Sequence, residues 1–121
     1  MKKSVEYIKS RLPITLDSVI WEEPLLHLSG DYWIFNARTE WRLISRRKNI
    51  IGCYDNTSNE VLEALKNLQV ISIHPQSEYF FDPAFVFENG SVLEIFSSSI
   101  SEETWTLHFK DENVFIESNE T

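Results

Sequence analysis

Ala84-Phe85-Val86-Phe87-Glu88-Asn89-Gly90-Ser91-Val92-Leu93-Glu94-Ile95-Phe96 is the stretch on which the fold turns. An Asn-Gly pair between two β-forming runs supplies the positive φ angles that a two-residue type I′ hairpin requires. That turn pairs Glu88 with Ser91, Phe87 with Val92, Val86 with Leu93, Phe85 with Glu94 and Ala84 with Ile95. One face then carries Ala84, Val86, Leu93 and Ile95; the other carries Phe85, Phe87, Val92 and Phe96 with Glu94 among them. Neither face is polar enough to be left in water, so something must cover each side.

Downstream, Trp105, Leu107 and Phe109 alternate with Thr106, His108 and Lys110, and Asp111-Glu112-Asn113 turns the chain into Val114-Phe115-Ile116-Glu117. This is a hairpin with an apolar inner face and a wet outer one. Upstream, Val70-Ile71-Ser72-Ile73-His74 reads as a strand stopped by Pro75. Before it, Thr57-Ser58-Asn59-Glu60 has the form of a capping box, with Val61, Leu62, Leu65 and Leu68 on one face, so a helix is expected over about 58–68. From Pro24 to Ile51 at least three strand-like stretches, among them Tyr32–Asn36 and Trp41–Ile44, predict an antiparallel meander, with turn chemistry at Ser29-Gly30-Asp31. Val5, Ile8 and Leu12 recur at helical spacing between Ser4 and Pro13, which predicts a first helix over about 4–12. The pattern predicts an α+β fold: a curved, mainly antiparallel sheet of six to eight strands, a half-barrel, with two short helices, one packed over the apolar sheet face.

A chain of 121 residues is expected to form a single domain over 1–121. With 42% hydrophobic and 13% aromatic residues it is too apolar for disorder. The N-terminal segment lacks the unbroken apolar stretch of a secretion signal, and no run approaches the ~18 residues needed to span a bilayer. Cys53 is the only cysteine, which excludes an internal disulfide and a thiolate zinc site and suits a reducing cytoplasm, with the thiol as a small buried hydrophobe. Trp33 and Trp41 fall on the apolar pattern of their strands and read as core, while Arg46-Arg47-Lys48 reads as a charged turn at a sheet edge.

Catalytic signatures are not found. His27, His74 and His108 are scattered, and three glycines (Gly30, Gly52, Gly90) cannot build a phosphate-cradling loop. No nucleophile elbow occurs, and the serines at 97–99 read as a loop. The expectation is a non-enzymatic protein with no cofactor, no metal, no nucleic-acid partner and no membrane association.

Charge is polarised along the chain. Residues 1–49 hold nine Lys/Arg and six Asp/Glu, a balance of +3; residues 50–121 hold two and thirteen, a balance of −11. An acidic half repels nucleic acid and steers basic proteins toward itself. The expected partner-binding residues are therefore acidic: Glu78, Asp82, Glu102, Glu103, Asp111 and Glu112. The alternative is a small-molecule module with an aromatic pocket lined by Phe85, Phe87 and Phe96.

Across about residues 30–118, the order Trp41-Arg42-Leu43, the helix ending at Leu68, the strand through Ile73, the Asn89-Gly90 hairpin and Trp105-Thr106-Leu107 resembles small bacterial β-rich domains. Some of these act as immunity proteins in toxin–immunity systems, including contact-dependent growth inhibition. The resemblance implies a cytoplasmic, non-catalytic inhibitor that binds a basic, possibly nuclease, toxin domain. Such families vary their toxin-facing residues, so it carries over no binding residue.

Overall fold

A computed structural model describes residues 2–45, 47–76, 82–96 and 104–117. In chain order these form α1 (Lys2–Arg11), β1 (Ile14–Thr15), β2 (Ser18–Glu22), β3 (Leu25–Ser29), β4 (Trp33–Ala37), β5 (Glu40–Ile44), β6 (Ile50–Gly52), α2 (Ser58–Glu63), β7 (Gln69–Pro75), β8 (Pro83–Phe87), β9 (Val92–Phe96), β10 (Trp105–Phe109) and β11 (Val114–Glu117). The fold is antiparallel β with two short helices. Its strands divide between a six-stranded sheet, β1-β7-β8-β9-β5-β6, and a five-stranded sheet, β11-β10-β4-β3-β2, which do not close into a barrel.

The expected meander breaks at Arg38-Thr39. Ala37 still pairs with Leu26 and Trp105 in the five-stranded sheet, whereas Glu40 pairs with Phe96 in the six-stranded one. Two bonds hold this corner: Arg38 N–H donates to the Thr104 carbonyl at 2.8 Å, and the buried Thr39 hydroxyl donates to the Phe96 carbonyl. The division has a physical cause. Alternate residues of nearly every strand are large and apolar, and two sheets laid face to face bury both sets against each other. Phe35 of one sheet meets Phe85 of the other edge to face at 4.8 Å, and both are fully buried. Trp33, Trp41 and Cys53 belong to the same core.

The β8–β9 hairpin corrects the register expected from its turn. Phe85 pairs with Leu93, Val86 with Val92 and Ala84 with Glu94, a shift of one residue. The loop has three residues: Gly90 N–H donates to the Phe87 carbonyl, Phe87 N–H donates to the Ser91 carbonyl, and Gly90 sits at φ 91°. This is the turn-plus-bulge solution that also needs a left-handed glycine, so Asn-Gly satisfies both loops. Burial selects between them. The two-residue loop would place Glu94 on the face of Phe85 and Phe87; the observed one groups Phe85, Phe87, Leu93 and Ile95 inside and leaves Glu94 outside, paired with Arg42. Taking a carboxylate into that core would cost far more than the loop preference.

The aromatic pocket of the alternative reading therefore does not assemble. Phe85 and Phe87 are core residues, while Phe96 lies on the opposite face beneath the Arg42 guanidinium at 4.8 Å.

Both helices sit at the margins of the sheets. α1 packs beside β7 and reaches the β10–β11 turn, with Tyr7 edge-on to Phe109 at 5.4 Å. α2 packs against β2 and β6. It ends at Glu63 rather than near 68, because the following bonds tighten to a three-residue span (Leu65 to Leu62, Lys66 to Glu63, Leu68 to Leu65) and Asn67 turns to φ 73°. Thr57 makes no side-chain cap, so the capping box is not formed; Asp55 instead accepts from Gly52 N–H at 2.8 Å.

β2 joins the sheets at both of its ends. Beside its start, Leu16 N–H donates to the Leu68 carbonyl next to β7; near its end, Trp21 Nε1 donates to the Cys53 carbonyl at 3.1 Å beyond β6. Gly30 makes room for a further tie. A Cβ there would lie 2.2 Å from Trp33 Nε1 and 2.3 Å from the Thr15 carbonyl, the two groups that share a hydrogen bond.

Candidate binding face

The outward surface of the five-stranded sheet is assembled by register. Ile20 lies opposite His27, His27 opposite Asn36, and Asn36 opposite Thr106, forming one row across β2, β3, β4 and β10. The adjoining row runs from Glu22 to Leu25 and on to Arg38 and Thr104 at the corner. No residue of either helix lines the space over these rows. Between them lies an open cavity of about 510 Å³, lined by both rows, with the buried residues Leu26, Ala37 and Trp105 completing it. Ile20 and Leu25 are 47% and 46% exposed, two large aliphatic side chains side by side on one surface.

Polar groups in the groove have defined roles. His27 Nδ1 lies 2.6 Å from Asn36 Oδ1. A carbonyl oxygen only accepts, so Nδ1 carries the proton and Nε2 of the neutral ring is left as an acceptor, while the Asn36 amide keeps its two donors. Glu22 and Arg38 are exposed at the β2 side and at the corner. Farther along the same face, His108 stacks on Phe115 at 3.8 Å and faces Asn113 Oδ1 at 3.2 Å.

An acidic patch adjoins this groove. The Tyr54 phenol is held above its ordinary pKa by partial desolvation and then by the neighbouring Cys53, Glu40 and Glu23. Glu23, in the β2–β3 turn, and Glu40, in β5, thus share one surface around an exposed tyrosine. All of these carboxylates come from the half of the chain with a positive balance.

The acidic residues singled out in the sequence have other placements. Asp111 and Glu112 sit in the β10–β11 turn and are both bound by Arg11: Nη2 contacts Asp111 at 2.7 and 2.9 Å, and Nη1 pairs with Glu112. Tyr7 also donates to Glu112 at 2.6 Å, and the guanidinium lies 5.0 Å over the Phe109 ring. The Arg11 hydrogen bonds pull the Asp111 carboxyl below its usual range, and those from Tyr7 and then Arg11 do the same for Glu112. This pair fastens α1 to the hairpin. Asp82 lies just before β8, half-buried, with its carbonyl accepting from Gln76 N–H at 3.1 Å. Glu78, Glu102 and Glu103, like the serines at 97–99, fall outside the described residues.

A second cavity of about 250 Å³ is lined by Arg11, Asp17, Asp31, Tyr32 and Trp33 among others. Partial burial, and then the charge and hydrogen bond of Asp31, raise the Asp17 carboxyl above its ordinary pKa. Among the described residues no three His, Cys, Asp or Glu side chains gather as a metal-binding group, and no helix is long and apolar enough to cross a membrane.

The groove residues Ile20, Leu25, His27, Asn36 and Arg38 were not among the partner-binding residues expected from the sequence, although His27 was weighed there as a possible metal ligand. The available signal was the diagonal placement of Ile20 and Leu25 at outward positions of neighbouring strands, which becomes visible only once β2 and β3 are put in register.

Compared with family models, with curated proteins and with solved structures, the chain matches none.

Proposed function

We propose that this protein is a non-catalytic binding domain that captures and neutralises a basic protein partner, as an immunity protein does, from within the cytoplasm. The observation that carries the reading is the outer face of the five-stranded sheet: grooved, lined by no helical residue, bearing exposed Ile20 and Leu25, with Glu22 in its lining and Glu23 in the adjoining turn. Exposed apolar surface with carboxylates at one end suits a protein partner that carries a cation, and the net charge of −8 adds long-range steering. The same reading takes the six-stranded sheet as a half-barrel, on the support that β2 is tied to both of its sides.

Affinity capture from native cells at low and at physiological salt, with mass spectrometry of the eluate, tests this reading. One stoichiometric basic protein whose recovery falls as salt rises is the expected result. Recovery of no protein partner overturns it. The small-molecule alternative is favoured by one specific observation, a groove volume within the roughly 300–1,000 Å³ range of ligand sites. A low-molecular-weight species retained in native mass spectrometry would support that alternative.

A further inference from the structure

Three places outside the core invite a ligand. The outer face of the six-stranded sheet has an aliphatic row, Ile50, Ile44, Val92 and Val86, but the charges in the next row, Arg42 and Glu94, are paired with each other and select nothing to cover it. Asp17 and Asp31 form an acidic pair at exposed positions, which by itself selects no ligand. The groove on the five-stranded sheet has shape, graded charge and oriented hydrogen-bonding groups together.

We propose that this groove holds a four-residue extended segment of a protein partner, lying across β2, β3, β4 and β10 with a lysine or arginine over Glu22 and an apolar side chain between Ile20 and Leu25. The inference rests on the binding reading above and deepens it by assigning the site and the chemistry of its occupant. Four strands spaced about 4.8 Å apart give a groove about 14 Å long, and four extended residues at about 3.3 Å span about 13 Å. The groove is open to solvent along its length, which suits a continuous chain entering and leaving better than a small molecule that must be largely enclosed.

The wall formed by His27, Asn36 and Thr106 offers an acceptor at Nε2, donors at the Asn36 amide and a hydroxyl, the complement of successive peptide N–H and C=O groups. Charge sets the polarity. Glu22 stands at the β2 end with Glu23 in the adjoining turn, while Arg38 lies two strands away on the same row, about 10 Å from Glu22. A cation is favoured at the first position and disfavoured near the third.

The test is an amide chemical-shift titration of the ¹⁵N-labelled full chain with two capped peptides, acetyl-Arg-Leu-Thr-Ser-amide and acetyl-Glu-Leu-Thr-Ser-amide, and with free arginine. The arginine peptide should produce saturable shifts at Ile20, His27, Asn36 and Thr106, and bind about threefold more tightly than the glutamate peptide. Glu22→Lys should reverse that preference, Arg38→Glu should increase it, and Ile20→Asp should abolish the shifts while an unchanged thermal melt shows the fold intact. No saturable shift in these rows, equal binding of the two peptides, or shifts confined to another face would overturn the proposal. Free arginine binding as tightly as its peptide would overturn it too, by making the groove a site for a small cation. Failure here is separable from failure of the binding reading: a captured protein unaffected by Ile20→Asp and Glu22→Lys leaves a binding protein with its interface elsewhere.

Discussion

The two Asn-containing hairpins differ in how strongly their surroundings constrain them. β8–β9 is the middle of the six-stranded sheet, paired on one side with β7 and on the other with β5. β10–β11 is a margin of the five-stranded sheet, with β11 at its edge. Both turns end in a left-handed residue, Gly90 at φ 91° and Asn113 at φ 53°. The edge hairpin shows the expected alternation, with Trp105, Leu107 and Phe109 buried and their neighbours partly exposed. The central hairpin carries apolar residues on both faces, so alternation could not choose between two registers one residue apart. Periodicity specifies a register only where the two faces of a strand differ; where they do not, the partners packed on them decide.

The contrast is broken most forcefully from the centre. Phe85→Ala should remove about 3–5 kcal/mol of stability, because it opens a cavity where the sheets meet at Phe35. Phe115→Ala in the edge hairpin removes a ring that is 54% exposed and should change stability by no more than about 0.5 kcal/mol. Denaturant midpoints of the two variants measure the difference; equal losses would mean that the sheets do not share one core.

The loops provide the next test. Gly90→Ala should cost about 1–2 kcal/mol, since an alanine is strained at φ 91°. Gly90→Asn should recover part of that loss, because asparagine tolerates the left-handed region. A neutral Gly90→Ala variant would point to the two-residue loop and hence the other register, which cross-strand NOEs between Phe85 and Leu93, or Phe85 and Glu94, would reveal directly.

Acid should act on the edge hairpin. Asp111 and Glu112 titrate below their unfolded values, so the stability they contribute is complete above ordinary carboxylate pKa values near 4 and is lost as pH falls through their depressed folded values. Thermal melts between about pH 5 and pH 2 should therefore fall more steeply for the natural chain than for Arg11→Gln, which lacks the cation. Identical slopes would show that the Arg11 clasp contributes nothing. The same clasp makes Asp111→Lys or Glu112→Lys an ambiguous probe of partner binding, because either change repels Arg11 and loosens α1. Glu22→Lys and Glu23→Lys, at exposed positions with no ion pair among the described residues, should change melting least of all while slowing association with a basic partner. An unchanged association rate would remove these two carboxylates from the interface.

Much of the local structure was legible in the sequence: α1, β7 up to its proline, the alternation of β10 and the burial of Trp33, Trp41 and Cys53 each follow from a pattern within about ten consecutive residues. The second helix was legible in position but not in extent, because its tightened tail depends on where Leu65 and Leu68 pack. The groove was not legible. Its residues come from four strands and span Ile20 to Thr106 in the chain, and no one of them carries an unusual residue type. Charge along the chain misled in the same way: Glu22, Glu23 and Glu40 come from the basic half yet gather at one end of the groove and around Tyr54, while Asp111 and Glu112 from the acidic half are bound by Arg11.

By itself the sequence determined an antiparallel β protein with two short helices, an aromatic core and turns at Ser29-Gly30-Asp31, Glu88–Ser91 and Asp111–Asn113, because propensity, alternation and turn chemistry act over a few neighbouring residues. Only the tertiary structure decided that the strands form two sheets, that the β8–β9 register keeps Glu94 out of the core, and that Ile20, Leu25, His27, Asn36 and Arg38 share one groove. Those outcomes depend on which faces are buried against each other, a free energy that belongs to the packed whole and to no segment of it.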